Sequence, residues 1–159
     1  MNKSDGMLSD VERQQILYEW NRTQAEYPNV CIHELFEAQV KRTPEATAVM
    51  FEDERASYDE LNRRANRLAH YLRKKGVTPE KRVGICTARN VEMVVALLAV
   101  LKAGGAYLPL DPDYPEERLQ YMVKDSEPVI VVTQRNTADL MRRVGKGTRV
   151  LELDGEGER

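Results

Sequence analysis

Three short stretches of the 159-residue chain carry residue types that could do chemistry. Asp111 and Asp113 are paired carboxylates on a corner that also holds Pro112 and Pro115, and carboxylate pairs can exchange protons with a substrate. Aspartate beside proline also shapes turns by bonding nearby backbone N–H groups, and the corner is read here as architecture. Gly104-Gly105 invites a phosphate-cradle reading. Phosphate loops, however, run from a strand into a helix N-terminus, and this pair follows an apolar helical run. It is expected to be a helix C-cap and a tight turn. Gly145-Lys146-Gly147-Thr148 suggests a P-loop, which needs a glycine, four residues, then Gly-Lys-Ser/Thr. Lys146 is followed by Gly147, and Leu140 stands where the first glycine belongs. A surface turn is expected.

His33 and His70 are the only histidines, and neither has a Cys or His at ligand spacing, so no metal site is expected. His70 reads as a boundary residue of its helix. No Gly-x-Ser-x-Gly elbow occurs. The formal net charge of −2 gives no global field for nucleic acid or an anionic membrane. Arg63, Arg64, Arg67, Arg73 and Lys74 read as a solvated helix face. Cys31 and Cys86, far apart, point to a reducing compartment rather than a disulfide framework. With no signal-peptide pattern at Met1 to Asp10 and no apolar run longer than Met93 to Leu101, the expected location is cytoplasmic.

The elements that would position these residues follow from patterning. Ser9 and Glu12 form a capping box for a helix from about Asp10 to Trp20, and Asn21 to Asn29 reads as a linker. Ile32, Leu35, Phe36 and Val40 share one helical face, behind Cys31, a poor cap, and ahead of Thr43-Pro44. Ala46 to Phe51 is β-prone, and Glu52 to Arg55 reads as a charged turn. Ser57 and Glu60 suggest a second capping box, starting a helix with Leu61, Ala65, Leu68, Ala69 and Leu72 on one face and Gly76 as its left-handed cap. From Arg82 the pattern alternates: strand 82–87, a helix from Val91 to Leu101 capped by Asn90 and apolar nearly all round, strand 106–110, and a helix with Pro115 at its first position. Strand 129–132, helix 137–144 and strand 149–153 complete it. This alternation predicts βαβ units and an α/β fold, a parallel sheet with helices on both faces. The tail, Asp154 to Arg159, reads as frayed.

Several stretches then carry a family resemblance. LKAGGAYLPLDPDYPEERL, from Leu101, resembles the second core motif of amino-acid adenylation domains in nonribosomal peptide synthetases, within the adenylate-forming superfamily. ASYDELN, Ala56 to Asn62, resembles the first core motif. NRRANRLAHYLRKKGVTPEKRVGI is similar to the run between them, and IHELFEAQVKRTPEATAV to the domain's opening. LSDVERQQILYEWN is similar to the linker helix that follows an upstream condensation domain. The resemblance implies a linker helix and N-terminal extension over residues 1–30, then the N-terminal portion of an adenylation domain over 31–159, truncated before the phosphate-binding loop.

The family implies a parent enzyme that uses ATP and Mg²⁺ to turn an amino acid into an aminoacyl-adenylate, then loads it onto a phosphopantetheine thiol of a carrier domain. The implied partners are the remainder of the adenylation domain and the condensation and carrier domains. The Ser/Thr/Gly-rich loop ending in Pro-Lys-Gly, the ribose motifs and the lid lysine are all absent from this sequence. No catalytic, cofactor-binding or metal residue is therefore carried over, and no bound cofactor is expected. Cys31 stands where the family usually has Ser or Thr. Two rival readings are an acyl- or aryl-CoA ligase fragment, against which the Tyr107-Leu108-Pro109-Leu110-Asp111 text argues, and a non-catalytic docking module. A chain of this kind is expected to leave apolar patches and sheet edges exposed.

Overall fold

The computed structural model describes residues 8–154. The chain divides into two units, residues 1–30 and 31–159. In the first unit, α1 (Asp10–Gln14) is capped as expected: Ser9 Oγ accepts from the Glu12 N–H, and the Glu12 carboxylate accepts from the Ser9 N–H at 2.8 Å. The single helix predicted to Trp20 instead passes into a π-helical segment, Gln15–Glu19. It buries no side chain.

The second unit opens with α2 (Ile32–Arg42). Cys31 offers no good cap, but Glu34 reaches back and accepts from the Cys31 N–H at 2.7 Å. Of the apolar face predicted for α2, Val40 is buried and Phe36 half-buried, whereas Ile32 and Leu35 stay exposed. A two-stranded antiparallel hairpin follows, β1 (Thr47–Phe51) and β2 (Glu54–Ser57). The patterning showed β1 but not β2, whose four residues contain two charges and so lack a β signature. Ser57 then caps α3 (Tyr58–Lys74), its hydroxyl accepting from the Glu60 N–H at 3.2 Å. The other half of the predicted box does not form among the described residues; the Glu60 carboxylate lies toward Arg64, 4.0 Å away.

The main sheet has four parallel strands in the order β4-β3-β5-β6: β3 (Arg82–Cys86), β4 (Ala106–Pro109), β5 (Ile130–Thr133) and β6 (Arg149–Glu152). Helices α4 (Val91–Ala103), α5 (Glu116–Ser126) and α6 (Arg135–Val144) connect them. Alternation along the strands divides the core in two. On one face Val83, Ile85, Ile130, Val132 and Leu151 pack against Leu72 of α3 and Ala96, Ala99 and Val100 of α4. On the other, Cys86 and Val131 pack against Leu119, Val123, Met141 and Val144 of α5 and α6. The helices on both faces are thus those the alternation implied, and Val131 and Val132 are wholly buried because both sides are covered. Pro115 sits one residue earlier than predicted, at the N-cap of α5. The strands at the two edges, β4 and β6, each have one unpaired side, and Ile32, Met50 and Phe51 are exposed apolar side chains.

Two glycine-ended helices meet beside this sheet. Gly76 takes φ +97 after α3, and Val77 N–H bonds Leu72 C=O across the cap. Gly104 takes φ +89 after α4, and Gly105 N–H bonds Val100 C=O in the same way. Gly105 is there for a different reason. A Cβ on it would lie 2.7 Å from Val77 Cγ1 and 3.0 Å from the Lys81 carbonyl oxygen. Around Gly76 there is open space.

The two positions therefore separate by experiment. Gly76→Ala is expected to cost about 1–2 kcal/mol through its backbone alone, and Gly105→Ala about 1–3 kcal/mol through overpacking. In urea unfolding, Val77→Ala should recover part of the Gly105→Ala loss, which a purely backbone origin would not allow.

Candidate functional site

Open α/β sheets bind ligands outside the carboxyl ends of their strands, where the strand order reverses. Here β3 leads to β4 on one side, and the chain returns to place β5 on the other, so the reversal lies between β3 and β5. The residues that follow those strands fill it. Thr133 Oγ1 donates to the Cys86 carbonyl at 2.8 Å, and Thr137 Oγ1 lies 2.8 Å from Thr133 Oγ1 and 3.1 Å from the same carbonyl. The Ala88 N–H donates to Gln134 Oε1 at 3.1 Å. Asn90 caps α4 by accepting from the Met93 N–H at 3.0 Å. Side-chain oxygens thus tie the two strand ends together where a ligand would otherwise enter. Thr87 Oγ1, at the same edge, is buried without a hydrogen-bond partner among the described residues.

The carboxylate pair lies beyond β4. Asp111 Oδ1 accepts from the Asp113 N–H at 3.0 Å, and Asp111 C=O accepts from the Tyr114 N–H at 3.0 Å. Both bonds hold a turn, the architectural role expected of them. The Cys86 thiol is pushed up to about 11, first by burial and then by the Asp111 charge, so it stays protonated and inert at neutral pH. Gly145 to Thr148 forms the turn expected of it, with Thr148 N–H bonding Gly145 C=O at 2.7 Å and Gly147 at φ +87.

The structure brings His33 and His70 together, which their spacing could not show. They border one cleft of about 310 Å³ with Glu37, Asn66, Arg73 and Lys102. His70 is exposed rather than at a boundary. No group of three metal-ligating side chains occurs among the described residues. The functional group that patterning missed is Lys102, only 4% exposed although it belongs to the apolar helix α4. Its ammonium pairs with Glu37 and stands 5.8 Å from the Phe36 ring centroid, fastening α2 to α4. Arg73 donates to the Lys102 carbonyl. Arg64, read as solvated, is also a tie: it meets Glu92 of α4 and lies 3.7 Å from Glu54 of β2. Its place in a helix whose only other charge is Glu92 was the available signal for Lys102.

No nucleophile–base pair or phosphate cradle emerges among the described residues. What the site contains is a closed strand-end junction and an ion pair between buried Lys102 and half-exposed Glu37.

Residues 36–158 match the family described as AMP-binding enzyme. Bacitracin synthase 3 of Bacillus licheniformis is 60% identical over 121 residues, 76% of this chain and 2% of that protein. Tyrocidine synthase 2 of Brevibacillus parabrevis is 49% identical over 152 residues, 95% of this chain and 4% of that protein. The crystal structure of the nonribosomal peptide synthetase FmoA3 with alpha-methyl-L-serine-AMP bound superposes with a TM-score of 0.80 at 38% identity, covering 89% of this chain and 16% of that one. The chain thus spans a few per cent of the curated relatives' length.

Two outcomes test this geometry. In the native protein a maleimide is expected to label Cys31, which is exposed, and to spare Cys86, with both labelled in denaturant. The Glu37 carboxyl is held below its ordinary value of 4.5, chiefly by the Lys102 hydrogen bond. Its stabilisation is then present above that value and lost as pH falls through the lowered native one. Melting temperature measured against pH should drop over that acid range, and Glu37→Gln should flatten the drop while lowering stability at pH 7.

Proposed function

Because the chain belongs to the AMP-binding enzyme family, we propose that it forms the N-terminal part of a nonribosomal peptide synthetase adenylation domain. In that reading the complete domain uses ATP and Mg²⁺ to convert an amino-acid carboxylate into an aminoacyl-adenylate, with pyrophosphate leaving, and passes the aminoacyl group to a phosphopantetheine thiol on a carrier domain. The observation that carries the reading is the match over most of the chain to a synthetase solved with an aminoacyl-AMP bound, together with the βαβ architecture. Adenylation needs groups that position and neutralise the phosphates. Among the described residues none takes such a role: the helix start nearest the strand reversal is capped by Asn90, and the junction beside it is closed by Thr133 and Thr137.

The contribution assigned to residues 31–159 is structural. They supply a sheet covered on both faces that holds its neighbouring parts in place, and the amino-acid pocket and phosphate contacts come from elsewhere in the full domain. Residues 8–20 suit a linker that packs on a preceding condensation domain, since Val11, Leu17, Tyr18 and Trp20 are exposed.

An exchange assay and a chimera test this. The 159-residue chain by itself is expected to show no amino-acid-dependent ATP–pyrophosphate exchange. Replacing the matched segment of the FmoA3 synthetase with residues 31–159 should keep exchange and leave its amino-acid preference unchanged. Exchange by the isolated chain, or a chimera with a new preference, would sink the proposal.

A further inference from the structure

The amino edge of the sheet, opposite the sealed strand ends, holds the larger cleft, of about 850 Å³. Helices α3, α5 and α6 all finish there. Lys75, Lys124, Arg143, Lys146 and Arg149 line it, against Glu127 as the sole acid among the lining residues. Five cations and one anion in a single cleft contrast with the chain's net charge of −2.

Helix dipoles account for part of this, since each C-terminus favours a nearby cation. Three of the five cations are also engaged within the fold. Lys75 Nζ lies 4.9 Å from the Tyr71 ring centroid, Arg143 pairs with Glu116 at 2.7 Å, and Arg149 donates to the Lys75 carbonyl at 3.4 Å. Lys124 and Lys146 are exposed and make no ion pair among the described residues. Lys146 stands in the turn after α6, next to Gly147 in the left-handed region. Dipole compensation within each helix does not require that these side chains share one concavity floored by Val123 and Pro128.

We propose that this cleft is a docking site for an acidic peptide segment of a protein partner. The geometry selects among anions. A phosphate group would want converging backbone N–H groups at a helix N-terminus, and here three C-termini converge instead. A nucleic-acid strand would want aromatic rings for base stacking, and no aromatic residue lines the cleft. The C-terminal dipoles oppose any anion entering the cleft, but glutamate and aspartate side chains need neither N-terminal N–H groups nor stacking and can stay at the rim. They can meet long lysine and arginine side chains at the rim while the peptide's apolar atoms rest on the floor.

The test is fluorescence anisotropy with the whole 159-residue chain and a fluorescein-labelled peptide of consecutive glutamates. Its arms are the matching glutamine peptide and a thymidine oligonucleotide of equal charge. Binding is expected for the glutamate peptide only, weakening as salt rises through about 0.05 to about 0.3 M. K124E/K146E should weaken it by about tenfold or more with an unchanged circular dichroism spectrum. R63E/R67E, the same change of net charge at two exposed positions of α3, should leave it as it was. No binding by the native chain, equal loss in both variants, or tighter binding of the oligonucleotide would each overturn the proposal.

Discussion

The close approach at Gly105 is the constraint on which the remaining structure depends. The chain leaves α4 there with Val77 and the Lys81 carbonyl so near that no side chain fits. The same Lys81 carbonyl accepts from the Ala106 N–H at 2.9 Å, which sets β4 beside β3. Val77 is itself fixed by the cap of α3, through its bond to Leu72. One steric contact therefore links the ends of two helices to the register of two strands. From that register follows which side chains of β3 face α3 and α4 and which face α5 and α6, because a slip of one residue would exchange them.

The fold then treats charge in two ways. On α4, Lys102 is drawn into the interior and compensated by Glu37 and the Phe36 ring face. With Lys102 buried and Glu37 half exposed, the pair is weak evidence for net stability, since desolvation of the ammonium opposes the attraction. Its effect is orientational: it makes one placement of the half-exposed helix α2 preferable to others. Arg64 does the same for the hairpin and α4. At the amino edge, by contrast, Lys124 and Lys146 stay in water. The two edges of the sheet are thus chemically unlike. One is closed by hydroxyl and amide oxygens, the other is open and basic.

Much of the architecture was legible because local and tertiary requirements agree. Gly76, Gly104 and Asn90 are caps in both pattern and structure, and the apolar runs of β3 and β5 are buried as their composition requires, whereas β4, at the sheet edge, stays mostly exposed. The exceptions share a cause: in each, a tertiary partner overrides a local preference. The strand β2 has little β character, and it exists because β1 pairs with it. Arg64 reads as part of a solvated face, and nothing local marks a role for Lys102, until their carboxylate partners, distant in sequence, are brought to them. Ile32 and Leu35 fit an apolar stripe, yet α2 is held through Phe36, Glu37 and Val40, so they remain exposed. His33 and His70 border one cleft only because α2 packs against α3.

The most identifiable text in the chain, Leu101 to Asp111, contains no reacting group in this structure. Each of its distinctive residues answers a geometric demand. Gly104 supplies a left-handed φ, Gly105 a close contact, Leu110 a fully buried side chain, and Asp111 the acceptors for a turn. Such demands restrict substitution, since a Cβ at Gly105 would press on Val77 and the Lys81 carbonyl, and a residue unable to accept at Asp111 would leave the Asp113 N–H without that bond. A motif can therefore mark an enzyme family through geometry alone. Its residues are restricted by the backbone they must close, and in this chain that closure joins the end of α4 to β4 and the corner that opens α5.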